Sequence, residues 1–316
     1  MTNALARAAA RYDLGALHRE LMEEHGGEVD DSVPQLAEAD PSAFGIALAF
    51  PDGDVRSVGN ARDEFSMQSA VKPFVYALAL RDNYDAVHEE VGTEPTGESF
   101  DAVLLEEDTG RPPNPMVNAG AIYTANLVEG SDARAKRDRI LAGLSAFAGR
   151  ELRVDDGVAE AEQEKGDRNR ALAYLMRSMG TLDLGVDEAL EVYAAACAVL
   201  VDTEVLAVMG ATLAFGGRNP RTGEQVVSRR VVTDVLSVMA TCGMYDGSGR
   251  WLRKVGLPAK SGVAGGLVAA VQGVAGIGVY SPPLDDVGNS VRGVRVCERL
   301  SAELGLHVFD REFDPS

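Results

Sequence analysis

Short extended-looking segments lie toward both ends of the chain, and a long helical stretch separates them. Residues 44–50 form an apolar run, Pro51-Asp52-Gly53-Asp54 reads as a turn, and residues 55–58 extend again, which is a hairpin signal. Residues 255–260, 266–272 and 274–281 are short and rich in valine and glycine, the last two joined around Gln272-Gly273 as a second hairpin. Between these ends, residues 71–81 have helical spacing, and residues 82–217 continue mostly helical. The middle is broken at 92–100, 109–120 and 164–169, and residues 187–210 read as one long helical stretch. Leu14, Leu17 and Leu21 mark a helix over 3–25, and further helices are expected over 228–239 and 288–304. Strands split by a helical block predict an α+β chain in which one antiparallel sheet is assembled from both ends. The expected division is a sheet domain of residues 1–70 and 221–316 with an inserted helical domain of residues 71–220. A cleft between them is the default place for a site.

Charge narrows the partners. The chain of 316 residues carries 30 basic and 49 acidic side chains, a net charge of −19. Nucleic acids and anionic membranes call for a positive surface, so neither is an expected partner. The longest apolar run, residues 264–280, contains Gln272 and five glycines and is a poor membrane span. Residues 1–13 lack an apolar signal core. Cys197, Cys242 and Cys297 have no metal-ligand spacing and suit reduced thiols, so a cytoplasmic setting is expected. No His-x-x-x-His or Cys-x-x-Cys pair and no phosphate-cradling Gly-rich loop occurs, so neither metal nor cofactor is expected.

The chemistry-bearing candidate is Ser69-Ala70-Val71-Lys72. A serine and a lysine three apart at a helix start share one face, where the amine can take the hydroxyl proton. A lysine at its reference pKa of ~10.4 is neutral in about one molecule in 2,500 at pH 7, a cost of roughly 4.6 kcal/mol. The site must therefore lower that pKa by burial or by a second cation, and Lys260 in Lys260-Ser261-Gly262 is the candidate. With 17 serines and 5 lysines, about 0.3 Ser-x-x-Lys matches arise by chance, so the pair alone is weak. Its downstream Lys-Ser-Gly on an expected strand makes it more specific. Ser-x-x-Lys with Lys-Thr-Gly is the acyl-enzyme signature of penicillin-binding proteins and class A β-lactamases; serine for threonine preserves the hydroxyl here, although their Ser-Asp-Asn is missing.

Longer segments carry a closer resemblance. Gln68-Ser69-Ala70-Val71-Lys72-Pro73, Asn114-Pro115-Met116-Val117-Asn118-Ala119-Gly120 and Glu162-Gln163-Glu164-Lys165-Gly166-Asp167-Arg168-Asn169 occur in order. Tyr193-Ala194-Ala195-Ala196-Cys197, Cys242-Gly243-Met244-Tyr245-Asp246 and Lys260-Ser261-Gly262-Val263-Ala264-Gly265-Gly266 follow them. The chain resembles the serine-dependent glutaminases, relatives of the β-lactamase/transpeptidase-like fold. The resemblance implies hydrolysis of L-glutamine to L-glutamate and ammonia through a glutamyl ester on Ser69, with Lys72 as base. It implies substrate contacts from Ser69, Asn118, Glu162, Asn169, Tyr193, Tyr245 and the backbone of Val263. Glu162 suits the α-ammonium of glutamine, and Asn118, Asn169 and a tyrosine hydroxyl suit its carboxylate or its side-chain amide. Val263 and Ser69 would supply oxyanion N–H groups, with Lys260 and Ser261 as electrostatic support, and Tyr245 could relay a proton to the leaving ammonia. A homodimer or homotetramer is implied as well.

Taken singly, these residues have plainer readings. Glu162 lies in an acidic stretch, Asn118 could serve a turn, Asn169 could cap a helix and Tyr193 could pack a core. The ordered set carries the expectation. Two positions depart from the resemblance: Ser32-Val33-Pro34 stands where a Tyr-Ile-Pro is usual, and Phe215 stands where an asparagine is usual. A Ser-Lys acylase for another amide, and a pocket that binds without turnover, are the alternatives.

Overall fold

The computed structural model describes residues 2–97, 102, 104–106 and 108–310. Among the described residues eight strands follow in chain order: β1 (Gly45–Ala49), β2 (Val55–Gly59), β3 (Phe65–Ser66), β4 (Arg153–Val154), β5 (Val199–Val201), β6 (Ala259–Ser261), β7 (Gly266–Val271) and β8 (Ala275–Tyr280). Five of them form one antiparallel sheet in the order β2-β1-β8-β7-β6. Both expected hairpins are present. Gly53 at φ +84° turns β1 into β2, and Gly273 at φ +73° turns β7 into β8. The seam joining the two chain ends is β1 on β8, with Gly45 opposite Tyr280.

The sheet is covered on both faces. On one face lies the helix Thr203–Ala214, across β1, β7 and β8. Its approach depends on missing side chains: a Cβ on Gly276 would sit 2.1 Å from the Ala207 carbonyl oxygen, and one on Gly278 would sit 2.4 Å from that of Thr203. The opposite face carries Ile46, Leu48, Ile277 and Val279 against Leu14, Leu17 and Leu21 and against Val296 and Leu300 of the helix Val291–Leu304. Phe215, just past the end of Thr203–Ala214, packs against the cluster of Ala47, Ala49, Ala207, Val208 and Ala211 between that helix and the sheet.

The helical part is built around Lys72–Asp82, which is buried along its length from Lys72 to Leu80. A helix apolar on every side is a core helix. It packs against Asn118–Leu127, Ala133–Ala148 and Arg229–Cys242. The helix Thr203–Ala214 lies before the expected boundary near residue 220 yet packs on the sheet, while Arg229–Cys242 lies beyond it and packs on Lys72–Asp82.

Three expectations are corrected. The stretch 187–210 is not one helix: it divides into Val186–Cys197, strand β5 and Thr203–Ala214. Val199 and Val201 are drawn into a second small sheet of order β3-β5-β4, and Asp202 caps the next helix by accepting from the Val205 N–H at 2.7 Å. The stretch 3–25 holds two helices, Thr2–Arg11 and Leu14–Leu21, the second capped by Asp13 on the Ala16 N–H at 2.9 Å. The strand expected over 255–260 is β6, preceded by a short helix Ser248–Lys254. Of the expected break at 92–100, residues 98–100 lie outside the described residues. Among the described residues no helix is long and apolar enough to cross a membrane.

Candidate active site

Ser69 sits in a tight 3-10 turn, Gln68–Val71, that runs directly into Lys72–Asp82. The turn is anchored upstream by the Met67 N–H on the Val199 carbonyl at 2.9 Å, so strand β5 also helps to place the serine. Gln68 has φ +47°, and among the described residues only Tyr245, at φ +53°, shares a left-handed backbone without being glycine. Such conformations cost of order 1–3 kcal/mol and cluster where geometry is imposed by function. The end of β6 meets the same turn. A Cβ on Gly262 would lie 2.7 Å from the Met67 carbonyl oxygen, so glycine here is what lets Lys260-Ser261-Gly262-Val263 close on Ser69.

Lys72 is buried, at 1% exposure, directly after this turn. Its ammonium donates to the Met116 carbonyl at 3.1 Å and to Asn118 Oδ1 at 2.7 Å. Asn118 opens the helix Asn118–Leu127, and its amide donates to Asn169 Oδ1 at 3.0 Å. Asn169 is in the first turn of the helix Asp167–Ser178. The Tyr193 hydroxyl, from Val186–Cys197, donates to Asn118 Oδ1 at 3.4 Å. Asn118 therefore links the lysine to the far wall and is neither a turn residue nor a lone cap.

Tyr245 lies in a second 3-10 turn, Tyr245–Gly247, and its hydroxyl donates to the Ser261 carbonyl at 3.0 Å. Burial pushes its phenol above the ordinary tyrosine range, while a hydrogen bond with Ser69 pulls the other way. Lys260 is completely buried and donates to the same Ser261 carbonyl at 2.5 Å. Burial, and after it the field of Lys72, holds the Lys260 ammonium well below the usual lysine range. The Ser261 hydroxyl is buried without a hydrogen-bond partner among the described residues.

In front of this buried layer is a cavity of about 350 Å³, at the lower end of the ~300–1,000 Å³ typical of small-molecule sites. Ser69, Asn118, Glu162, Asn169, Tyr193 and Val263 all line it. Glu162 belongs to the helix Asp156–Glu164 and is partly buried. Burial raises its carboxyl above the ordinary range; Gln68 counters by hydrogen bonding, Asp30 adds to the rise and Lys72 opposes it. Among the described residues none of the backbone hydrogen bonds uses the Val263 N–H.

Every site residue read from the sequence thus falls in the cavity wall or in the layer bonded to it. Gln68, Cys197, Asp30, Lys165 and Arg168 also line the cavity, and sequence reasoning gave them no role. Cys197 lies one helical turn after Tyr193, a spacing that puts both on one face. Its thiol is pushed up to about 12 by burial, then by Glu162. Asp30 comes from a loop without periodic pattern, so only its fold neighbours reveal it. Ser32 borders the cavity, and its backbone N–H and hydroxyl both bond to Asp30. Among the described residues no group of three or more His, Cys, Asp or Glu side chains could hold a metal ion.

A family model described as Glutaminase matches residues 27–309. The chain is 62% identical over 301 residues to a glutaminase of Clavibacter michiganensis subsp. michiganensis, covering 95% of this chain and 93% of that protein. It is 49% identical over 299 residues to a glutaminase of Nostoc sp., covering 94% and 89%. A solved structure described as the probable glutaminase ybaS superposes with a TM-score of 0.92 at 38% identity, covering 98% of this chain and 99% of that one. The glutamate form of Mglu superposes with a TM-score of 0.90 at 48% identity, covering 94% and 69%. This chain belongs to the glutaminase family, with the β-lactamase-like α+β fold.

Proposed function

We propose that the chain hydrolyses L-glutamine to L-glutamate and ammonia through an ester on Ser69. The observation that carries this reading is the single cavity onto which Ser69, Asn118, Glu162, Asn169, Tyr193 and Val263 open from six separate chain segments. The solved structure described as Mglu in its glutamate form, 48% identical to this chain, supports the choice of ligand.

The α-ammonium of glutamine pairs with Glu162, whose burial makes an incoming cation worth more than it would be in water. Asn169, whose amide oxygen is already engaged by Asn118, turns its amide hydrogens to the α-carboxylate, and the Tyr193 hydroxyl borders the same region. The side-chain amide carbon then rests at Ser69. Lys72 in its neutral form removes the hydroxyl proton as Ser69 Oγ bonds to that carbon. The negative charge gathering on the amide oxygen is met by the Ser69 and Val263 N–H groups, and losing one such donor typically costs roughly 2.7–4 kcal/mol. Lys260 beside Lys72 makes it costly for both amines to hold a charge together, which favours a base at this position.

Tyr245 stays a phenol at neutral pH because burial raises its pKa, and it bonds to Ser69. It gives its proton to the leaving nitrogen and regains one from Lys72, so ammonia departs neutral. Water then adds to the ester carbon, again losing a proton to Lys72; as the bond from that carbon to Ser69 Oγ breaks, Lys72 returns the proton to Oγ, which restores Ser69 and the neutral base and frees glutamate. No cofactor enters this scheme. Assembly as a homodimer or homotetramer and a cytoplasmic setting belong to the same proposal, as does the absence of nucleic-acid and membrane partners.

The test is ammonia release from glutamine and from asparagine, with Ser69→Ala beside the wild type. Glutamine turnover abolished by Ser69→Ala, together with labelling of Ser69 by an electrophilic glutamine analogue, is the expected result. Turnover that survives Ser69→Ala overturns the ester mechanism. Glutamine binding with no turnover overturns the enzymatic reading.

A further inference from the structure

Asn114 is buried, at 1% exposure, and is absent from the wall of the substrate cavity. Its side chain nevertheless makes three hydrogen bonds. Its amide donates to the Glu94 carbonyl at 2.8 Å, and its Oδ1 accepts from the Met116 N–H at 2.9 Å and the Val117 N–H at 3.2 Å. These two amides belong to the short link between Pro115 and the helix Asn118–Leu127. Val117 is that helix's N-cap and has no side-chain capping bond of its own. Asn114 therefore does from outside what a capping residue does from within, satisfying amides just ahead of the first turn.

The link so held is the one that receives Lys72. The Met116 carbonyl and Asn118 Oδ1, both acceptors of the lysine ammonium, stand on either side of Val117. The helix is also pressed against Asn114 from below: a Cβ on Gly120 would fall 1.9 Å from the Asn114 carbonyl oxygen. Asn114 thus fixes a rigid wedge running from Asn114 to Asn118, and the wedge fixes where the amine of Lys72 can stand relative to Ser69.

The geometry points to Asn114 as a positioning residue for the base: it acts on Lys72 through the Met116 carbonyl and Asn118, without touching substrate. The inference rests on the proposed Ser69–Lys72 mechanism. A side chain with this role sets kcat and the ionisation seen in the pH profile, and leaves the substrate contacts alone.

Three variants test it by steady-state ammonia release from glutamine across pH 5 to 10, with thermal unfolding as a check on folding. Asn114→Ala removes the acceptor. A displacement of a catalytic group by about 1 Å can cost ~10²-fold, so kcat should fall about 10- to 100-fold with KM changed less than about threefold. Asn114→Ser keeps an oxygen for the link and should recover most of the lost kcat. Asn114→Asp keeps the acceptor and puts a carboxylate on the link whose Met116 carbonyl accepts from Lys72, so the acid limb of kcat/KM should move to higher pH. If Asn114→Ala does not fold, the serine and aspartate variants carry the test. A folded alanine variant with wild-type kcat and pH profile overturns the inference, as does a loss confined to KM or an acid limb unmoved in Asn114→Asp. Ser69→Ala is run alongside. Ammonia release that survives it sinks the mechanism itself, whereas Ser69-dependent release with an unmoved Asn114 profile sinks this inference alone.

Discussion

Lys260 and Tyr245 converge on one oxygen. The ammonium and the phenol hydroxyl both donate to the Ser261 carbonyl, and the ammonium stands 4.0 Å over the centre of the Tyr245 ring. The cation is satisfied by a carbonyl and a π face, with no carboxylate among these contacts, and a second buried lysine lies close enough to oppose its charge. The strand β6 and the 3-10 turn at Tyr245 are thereby locked together beneath Ser69.

That arrangement has a pH signature. The folded state holds the Lys260 pKa down, through burial and then Lys72, while an unfolded lysine titrates near ~10.4. Between those two values the unfolded chain binds the extra proton, so stability rises with pH across that window and is lowest below it. Lys260→Met keeps most of the apolar stem and removes the titration. Urea unfolding of both proteins from pH 6 to 10 should show the wild type gaining stability relative to the variant as pH rises. A constant difference over that range would mean that Lys260 keeps its ordinary ionisation.

Tyr245→Phe separates packing from chemistry. The ring still lies under Lys260 and beside Gly288, where a Cβ would come to 3.6 Å from it. Only the hydroxyl that bonds Ser69 and the Ser261 carbonyl is lost. Proton transfer by a placed side chain contributes typically ~10²–10⁴-fold, so kcat should fall within that range while the melting temperature changes little. A variant with near wild-type kcat would remove Tyr245 from the proton path.

Glu162 should be costly to stability and necessary for binding. Burial raises its pKa, so the folded chain keeps a proton at pH values where an unfolded glutamate, titrating near ~4.3, has lost it. Stability falls as pH climbs through that window, and the loss is complete above the folded pKa. Glu162→Gln should therefore unfold at a higher temperature at pH 7 and at an equal one at low pH. The charge-assisted bond to the α-ammonium is worth ~1.5–3 kcal/mol, so KM for glutamine should rise about 10- to 100-fold. A variant that is less stable at pH 7, or binds glutamine normally, would contradict this role.

The sheet and the Ser69–Lys72 pair were both legible in the sequence, and for local reasons. Gly53 and Gly273 mark turns whose left-handed backbones only glycine takes without strain, so the hairpins β1–β2 and β7–β8 followed from residues near each other in the chain. Ser69 and Lys72 are likewise three residues apart. Residues 187–210 read wrongly as one helix because the periodicity of Val199–Val201 cannot reveal that β3 and β4 wait on either side of it. Asp30 and the Asn114 wedge are hidden from the sequence for a related reason. Their effects pass through Glu162 and Lys72, which are distant in sequence, and no spacing rule connects them. The resemblance pointed to residues that the fold brings to one cavity but said nothing of what holds them there.

The closeness of the helix Thr203–Ala214 to the sheet makes a sharp prediction about glycine. A methyl group on Gly276 would lie 2.1 Å from both the Ala207 carbonyl oxygen and the Ala211 nitrogen. Both are backbone atoms of a helix that is buried from Val205 to Ala214, so neither can swing aside as a long side chain could. Forcing an extra methylene into such packing typically costs about 1–3 kcal/mol, and more where backbone must move. Gly249 offers the contrast: it sits in the helix Ser248–Lys254, and beyond that helix's own backbone and its chain neighbours a Cβ there would meet nothing within 4 Å. At such a position alanine exceeds glycine in helix propensity by up to about 1 kcal/mol. Denaturant unfolding should thus show Gly276→Ala destabilised by about 1–3 kcal/mol or more and Gly249→Ala unchanged or slightly stabilised. Because strand β8 lies beside β7, which pairs with β6 behind Ser69, Gly276→Ala should also lower kcat in the fraction that remains folded. Equal stabilities for the two variants would mean that the helix does not rest on the sheet as closely as these distances require.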